Sequence, residues 1–191
     1  PIPYGGDIPD PKSLPLCTFS RVMREKGIGD AVNAVKAVNE HFNRIVYTLD
    51  IYGQVDSNQT EWFDHLRREF PYYVKYGGLV PFDKSVEVLK NYFALLFPTY
   101  YEGEGFAGTL IDALAAGVPV IASDWRYNAE IVVDKVAGRI HKTKSKDSLI
   151  EAMIWSYQNQ SVWNNMKSDC IQLAYQYLPE KVIDTLCSRI V

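Results

Sequence analysis

The chain has 191 residues, of which 47% are apolar, 13% aromatic and 23% charged, a composition typical of one soluble globular domain with a well-filled core. Its 20 lysines and arginines against 23 aspartates and glutamates give a formal net charge of -3, which excludes a chain-wide positive field for nucleic acid or an anionic bilayer. An anion-binding site in this protein must therefore be local.

The cysteines and the apolar runs indicate the cellular compartment of the protein. Cys17, Cys170 and Cys187 are odd in number and form no CxxC pair, which favours reduced thiols over a disulfide framework. No apolar run reaches the ~18 residues that a membrane-spanning helix needs, so we expect a cytoplasmic protein. Turn residues are dense as far as residue 15, and we interpret residues 1–15 as a linker and residues 16–191 as the domain.

Strand and helix patterns alternate along the chain. Short apolar or alternating runs predict strands at residues 16–19, 46–52, 73–76, 94–97, 119–122 and 138–141. Helical spacing and stop signals predict helices at residues 31–38, 61–70, 85–92, 110–116 and 128–133, with two or three more over 148–191. Gly77 and Gly78 are expected to break the third strand.

This alternation predicts an α/β fold with a doubly wound parallel sheet, Rossmann-like, followed by extra C-terminal helices, because parallel neighbours need a crossover connection. In such sheets ligands bind beyond the carboxyl ends of the strands. The loops in which a site is expected are therefore residues 20–28, 53–58, 77–83, 99–109 and 123–128.

A glycine-rich loop at residues 100–109 runs directly into a predicted helix. Glycines let backbone N–H groups approach a ligand, and the positive end of a helix attracts anions, so Gly108, Thr109 and Leu110 form a candidate phosphate cradle. Residues 109–112 also fit a capping box, in which Thr109 and Asp112 would only cap the helix. The local sequence does not decide between a phosphate cradle and a helix cap.

Two cations follow the first predicted strand. Arg21 and Lys26 lie just before Gly27, beyond the end of this strand. Both can therefore converge on an anion at the carboxyl edge of the sheet. A guanidinium fork and an ammonium point charge together suit a diphosphate. The alternative is a solvated charged loop. No GxGxxG follows this strand, which argues against a dinucleotide-binding module.

Several motifs stand in a distinctive order along the chain. They are Ser20-Arg21, Glu25-Lys26-Gly27, Glu104-Gly105-Phe106, Asp112-Ala113 after a seven-residue gap from Glu104, the run 116–122, and then Asn128, Glu130-Ile131-Val132 and Gly138. In order and spacing they resemble the C-terminal, nucleotide-sugar-binding half of retaining glycosyltransferases of the GT-B fold, the group 1 or family 4 class. The resemblance covers essentially the whole chain.

The resemblance implies a role for each matching residue. Arg21 and Lys26 would bind and neutralise the donor diphosphate as it leaves, Glu104 would hydrogen-bond the hydroxyls of the transferred sugar, and Asp112 would hold the ribose. The implied catalytic residues are Glu104, Arg21 and Lys26. The implied donor site contains these three residues and also Leu79 and Val80, which would border the nucleotide base, together with Gly105, Phe106, Gly108, Thr109, Leu110 and Asp112. Two positions depart from the family pattern, since Asp112 stands in place of Glu and Ala107 in place of Gly.

The same resemblance implies a retaining enzyme that moves a sugar, from a UDP-sugar in our interpretation, to a glycan or lipid-linked acceptor of bacterial surface polysaccharide such as O-antigen or capsule. No cofactor and no metal is expected, since Arg21, Lys26 and the helix end would take the metal's role, no Asp-x-Asp motif is present, and His41, His65 and His141 lack metal spacing.

The acceptor would be held by an N-terminal domain outside this chain, at the inner face of the cytoplasmic membrane, and we expect the 191-residue chain alone to be inactive. Peripheral membrane association of the full-length enzyme, and no nucleic-acid partner, are expected. Two alternatives remain at this point: a stand-alone nucleotide-binding module, and a non-catalytic scaffold that keeps the fold.

Overall fold

The computed structural model describes residues 13–178, 180, 181 and 183. The strands are β1 (Leu14–Phe19), β2 (Tyr47–Tyr52), β3 (Val74–Gly78), β4 (Ala94–Phe97), β5 (Val120–Ser123) and β6 (Gly138–His141). The α-helices are α1 (Ile28–His41), α2 (Thr60–Arg68), α3 (Ser85–Leu89), α4 (Gly108–Ala115), α5 (Asn128–Ile131), α6 (Lys146–Gln158) and α7 (Gln160–Ala174).

The strands form one six-stranded sheet in the order β3-β2-β1-β4-β5-β6, and every neighbouring pair is parallel. The predicted doubly wound α/β class is therefore confirmed. The strand order reverses between β1 and β4, and the loops that follow these two strands meet at one edge of the sheet. A crevice at such a reversal is where ligands bind in folds of this class.

Alternate side chains of the central strands face opposite sides of the sheet, and each side carries its own apolar cluster. Leu16 and Leu96 pack with residues of α1, α2 and α6 on one face. Cys17 and Leu95 pack with residues of α3, α4 and α5 on the other, and α7 contributes to both clusters. Burial on both faces explains why the sequence shows continuous apolar runs rather than alternation.

The predicted elements occur in the predicted order, and the corrections concern their ends. Gly77 and Gly78 belong to β3 instead of breaking it, because the Gly78 carbonyl accepts a hydrogen bond from the Gly53 N–H at 2.9 Å. Helix α3 ends at Leu89, short of the predicted end, because the Asn91 side-chain amide donates to two carbonyls of its last turn at 3.1 and 3.2 Å.

The first strand and the last long helices lie near the two ends of the described residues. β1 begins at Leu14, so the sheet starts inside the predicted linker, whose residues 1–12 lie outside the described residues. Two long C-terminal helices are present as expected, α6 and α7, and residues 184–191 again lie outside the described part. Among the helices that are described, none combines the length and the apolarity needed to cross a bilayer.

Helix α7 is fixed to the start of β4 by one large side chain. Trp163 is fully buried, its ring stacks on Phe93 with 5.5 Å between centroids, and its indole N–H donates to the Phe93 carbonyl at 3.0 Å. A buried indole needs such an acceptor. The strand whose far end carries the glycine-rich loop is therefore anchored at its near end by the C-terminal helices.

Candidate functional site

A cavity of about 310 Å³ opens at the carboxyl ends of β1 and β4, where the strand order reverses. Its walls come from the β1–α1 loop, the end of β4 and the β4–α4 loop. The lining residues are Ser20, Arg21, Met23, Lys26, Phe97, Tyr101, Glu104, Phe106, Ala107, Gly108 and Thr109. The structure thus brings together all three predicted catalytic residues, Arg21, Lys26 and Glu104.

An ion pair lies in the wall of this cavity. The Nζ atom of Lys26 is 2.7 Å from both carboxylate oxygens of Glu104, and only 12% and 8% of these side chains are exposed. The ammonium also lies 5.1 Å from the centre of the Tyr101 ring. Charge-assisted bonds of this kind are short and strong in a partly buried setting, so the pair fixes both side chains at the cavity.

A buried chain of hydroxyl groups supports Glu104 from below. The Thr99 hydroxyl donates to Glu104 Oε2 at 2.6 Å, and the Thr99 carbonyl accepts from the Ser123 hydroxyl at 2.6 Å. The Asn128 amide in turn donates to the Ser123 carbonyl at 3.2 Å. Sequence reasoning missed Thr99 and Ser123 as positioning residues, although each is a small polar residue at the carboxyl end of a buried strand, which is the signal that could have found them.

Gly27 allows the β1–α1 loop to approach β4 closely. It adopts a left-handed φ of 71°, and a Cβ atom there would lie 2.3 Å from the Pro98 carbonyl oxygen. Only glycine fits such a position without strain. Because Lys26 immediately precedes this residue, the close approach brings its side chain to Glu104.

Arg21 and the start of α4 provide groups that are not committed to strong partners. The Arg21 side chain is 60% exposed, and its nearest carboxylate, Asp56, lies 3.6 Å away. The N–H groups of Gly108 and Thr109 donate to no other described residue, and a Cβ at Gly108 would meet no atom within 4 Å. A cation and two free amides therefore face the same open space, as an anion site requires.

Two expectations about this helix start need correction. The N–H of Leu110 already donates to the Ala107 carbonyl at 3.0 Å and the Leu110 side chain is fully buried, so Leu110 offers the cavity no free group. The capping box does not form either. Ala107 holds the N-cap position without a side-chain bond, and the helix begins before Thr109.

Four further predicted residues lie outside the lining of the cavity. Asp112 accepts a hydrogen bond at 2.7 Å from the hydroxyl of Ser85, the first residue of α3, and this hydroxyl also lies 3.0 Å from the Phe82 carbonyl in the β3–α3 loop. Leu79 of that loop is 69% exposed, and Val80 beside it is half-buried. Gly105 is exposed in the β4–α4 loop, and a Cβ there would meet nothing within 4 Å. Asp112 and the loop that carries Leu79 are thus joined through Ser85.

Comparison with known proteins shows the family. Residues 9–177 match the model described as glycosyl transferases group 1, and the chain belongs to this family. The resemblance seen in the motifs is therefore confirmed, as is the predicted fold, that of the C-terminal half of GT-B glycosyltransferases.

Two relatives illustrate how much of a longer protein the chain corresponds to. It is 30% identical over 183 residues to the GtfA subunit of the UDP-N-acetylglucosamine–peptide N-acetylglucosaminyltransferase of Streptococcus gordonii. It is 23% identical over 187 residues to a sucrose synthase of Melioribacter roseus. These alignments cover 90% and 87% of this chain but only 34% and 23% of those proteins, so the chain spans a minor part of each relative.

Solved structures share the fold at low identity. HepE of Anabaena, in complex with UDP and glucose, aligns with a TM-score of 0.79 at 16% identity over 93% of this chain and 49% of that one. The pneumococcal O-GlcNAc transferase GtfA, in complex with UDP and GlcNAc, gives 0.74 at 24% identity over 94% and 35%. The C-terminal domain of LpcC, a group 1 glycosyl transferase of Francisella tularensis, gives 0.74 at 15% identity over 85% of each chain.

Proposed function

We propose that this chain binds the donor of a glycosyltransferase, a nucleotide-diphosphate sugar, and that the donor is a UDP-sugar. One observation carries the proposal: a cavity at the reversal of the strand order gathers Arg21, Lys26, Glu104 and the free amides of Gly108 and Thr109. Cations and helix N–H groups suit the diphosphate, and a carboxylate suits the hydroxyl groups of a sugar.

The choice of uridine is supported by the relatives. GtfA and HepE have been crystallised with UDP together with GlcNAc or glucose, and the GtfA subunits are named for the use of UDP-N-acetylglucosamine. In this chain Leu79 and Val80 would border the base and Asp112 would hold the ribose, either directly or in exchange for its bond to Ser85.

The chemistry that we propose needs no metal. When the bond between the sugar and the diphosphate breaks, positive charge develops on the sugar and negative charge on the leaving phosphate. Preorganised groups stabilise such charge best where it develops. Arg21, Lys26 and the amides of Gly108 and Thr109 would neutralise the phosphate, while Glu104 would hold the sugar hydroxyls. Retention of configuration follows from the family resemblance alone.

The acceptor belongs to the remainder of the proposed enzyme. We infer from the motifs that it is a glycan or a lipid-linked saccharide of bacterial surface polysaccharide biosynthesis. The full-length enzyme would then work at the inner face of the cytoplasmic membrane, with an N-terminal domain holding the acceptor and the isolated chain inactive.

Calorimetric titration of the chain with UDP, GDP and ADP, and then with UDP-sugars, tests the proposal. We expect UDP to bind selectively and the affinity to change with the attached sugar. Arg21→Ala should weaken UDP binding about tenfold or more, whereas Arg68→Ala, which removes an exposed arginine of α2, should not.

Three results would contradict donor binding: equal affinity for the three nucleotides, no effect of the sugar, or equal effects of the two arginine variants. Affinity for UDP without any effect of the sugar would favour the stand-alone nucleotide-binding module.

A further inference from the structure

We propose that the surface beside the donor cavity, formed by Met23, Glu25, Tyr100, Tyr101, Glu102 and Lys144, is a subsite for a neutral saccharide, namely the end of the acceptor that receives the sugar. The proposal rests on donor binding in the first cavity. It assigns to this chain a part of the acceptor site that sequence reasoning gave wholly to an N-terminal domain.

The subsite is a second cavity of about 390 Å³. Its residues come from three loops, β1–α1, β4–α4 and β6–α6, all at the carboxyl edge of the sheet. Met23 and Tyr101 line this cavity and the donor cavity alike, so the two spaces share a wall. Transfer needs the donor sugar and the acceptor sugar side by side, and a shared wall provides that arrangement.

The shared wall lies next to the proposed reacting centre. The Tyr101 ring is 5.1 Å from the Lys26 ammonium, which itself holds Glu104 at 2.7 Å. Tyr101 therefore lines the second cavity while its ring contacts one of the two residues proposed to hold the donor sugar and its diphosphate. A saccharide in the second cavity would lie next to Tyr101.

Hydrogen bonds between loops hold the backbone of the second cavity in place. The Tyr100 N–H donates to the Glu25 carbonyl at 2.8 Å, the Trp125 indole donates to the Tyr101 carbonyl at 2.7 Å, and Arg126 donates to the Glu102 carbonyl at 3.0 Å. These bonds connect the β4–α4 loop to the β1–α1 loop and to the β5–α5 loop. A prepared backbone lowers the entropic cost of ordering a binding site.

The side chains match the chemistry of a sugar. Tyrosine offers an apolar ring for the C–H face of a pyranose and a hydroxyl for its polar rim. The Glu102 carboxylate has no hydrogen bond or ion pair with any described residue, and the Lys144 ammonium lies 5.1 Å from the Tyr100 ring centre without a carboxylate partner in the described part of the chain. Both can therefore bond to sugar hydroxyls.

The charged side chains of the second cavity indicate which class of saccharide it can bind. The lining side chains carry two carboxylates, Glu25 and Glu102, and one ammonium, Lys144, and the Arg126 guanidinium donates to the Glu102 carbonyl beside them. Because these charges are close to balanced, the cavity favours neutral hydroxyl-rich units. Burial and the neighbouring carboxylates of Asp30 and Glu25 raise the pKa of the Tyr100 phenol, an effect that Arg24 partly opposes.

Backbone NMR of the ¹⁵N-labelled chain, with and without saturating UDP, tests the proposal. The probes are the methyl glycosides of glucose, galactose and mannose, with methyl glucuronide as the anionic counterpart. We expect at least one neutral glycoside to shift the amides of residues 100–102 and 144, and the glucuronide to bind more weakly. Tyr100→Ala should weaken the neutral glycoside about tenfold and leave the Kd for UDP within about twofold.

Variants keep the test independent of folding and of donor binding. Glu102→Gln changes only an exposed side chain and should also weaken the glycoside. The proposal fails if no glycoside shifts these amides, or if Phe106→Ala, on the donor cavity, abolishes the shifts while Tyr100→Ala does not. Failure of UDP to bind would overturn donor binding, and the titration without nucleotide would still decide on the saccharide subsite.

Discussion

Lys26 and Glu104 form a bidentate pair, with the Lys26 ammonium 2.7 Å from each carboxylate oxygen. They come from loops on adjacent strands and are the cation and the anion on which the proposed donor chemistry depends. In the absence of a ligand each neutralises the other. A donor diphosphate that approaches Lys26 must therefore share this ammonium with Glu104, and the strength of the pair sets part of the affinity for nucleotide.

Removing the competing carboxylate should tighten nucleotide binding. In Glu104→Gln the Lys26 ammonium is free to bond to the diphosphate alone, and we expect the affinity for UDP to rise about three- to tenfold in calorimetry. Turnover in a full-length enzyme should be lost. Glu102→Gln is the matched control, since this carboxylate has no bond to Lys26 and its removal should leave the UDP affinity nearly unchanged. Weaker UDP binding in Glu104→Gln would contradict the competition.

Removing the cation should have the opposite effect on binding and should also lower stability. Lys26→Ala is expected to weaken UDP binding by about 1.5–3 kcal/mol, because a charge-assisted contact is lost. It also leaves the Glu104 carboxylate, which is 8% exposed, without its cation.

Chemical denaturation should therefore show a lower free energy of unfolding for Lys26→Ala, and Lys26→Ala with Glu104→Gln should recover part of the loss. Lys90→Ala, at an exposed lysine, should change neither property. Full stability and full affinity in Lys26→Ala would exclude the pair from both roles.

Two glycines allow the cost of backbone strain to be distinguished from the cost of a steric clash. Gly27 and Gly78 both have left-handed φ angles, 71° and 76°, but a Cβ at Gly27 would lie 2.3 Å from the Pro98 oxygen whereas one at Gly78 would meet nothing within 4 Å. We expect Gly78→Ala to lower the free energy of unfolding by about 1 kcal/mol and Gly27→Ala by about 3 kcal/mol. Gly27→Ala should also weaken UDP binding, since it displaces the loop of Lys26. Equal losses of stability would show that the contact with Pro98 is relaxed.

A buried histidine should make stability depend on pH. His141 is 3% exposed, its Nδ1 bonds to the Lys142 carbonyl at 3.0 Å, and its Nε2 is buried without a hydrogen-bond partner in the described residues. Burial lowers the pKa of this imidazole, an effect that the bond to the Lys142 carbonyl and nearby Asp124 partly oppose. As the pH falls below about 6.5, the unfolded chain takes up a proton that the folded chain refuses, so stability decreases.

Denaturation at pH 7.5 and pH 5.5 measures this effect. The wild-type chain should lose up to about 1 kcal/mol more than His141→Gln between these conditions. His65→Gln, at an exposed helical position, should behave as the wild type does. The same pH dependence in His141→Gln and in the wild type would assign the loss to other groups.

The fold was accessible from the sequence because strands buried on both faces leave continuous apolar runs, as at Leu95 and Leu96. Arg21 and Lys26 were accessible because two cations follow the end of such a run, and Glu104 was accessible through the family motif that it begins. Thr99 was not, since its role depends on Glu104 folding back over the end of β4. Leu110 was misjudged because local sequence does not show which amides of a helix start already have acceptors.

The adjacency of β1 and β4 also has a consequence for how the protein folds. Lys26 and Glu104 are separated by 78 positions, and β2 and β3 are synthesised between β1 and β4. Closing so long a loop is slow compared with forming local contacts. In a chain in which only β1, β2 and β3 have paired, the loop with Arg21 and Lys26 is present at the sheet edge, but Glu104 has not yet joined it. A donor that binds only the finished arrangement stabilises the central crossover by mass action, so the nucleotide should retard unfolding of the whole sheet.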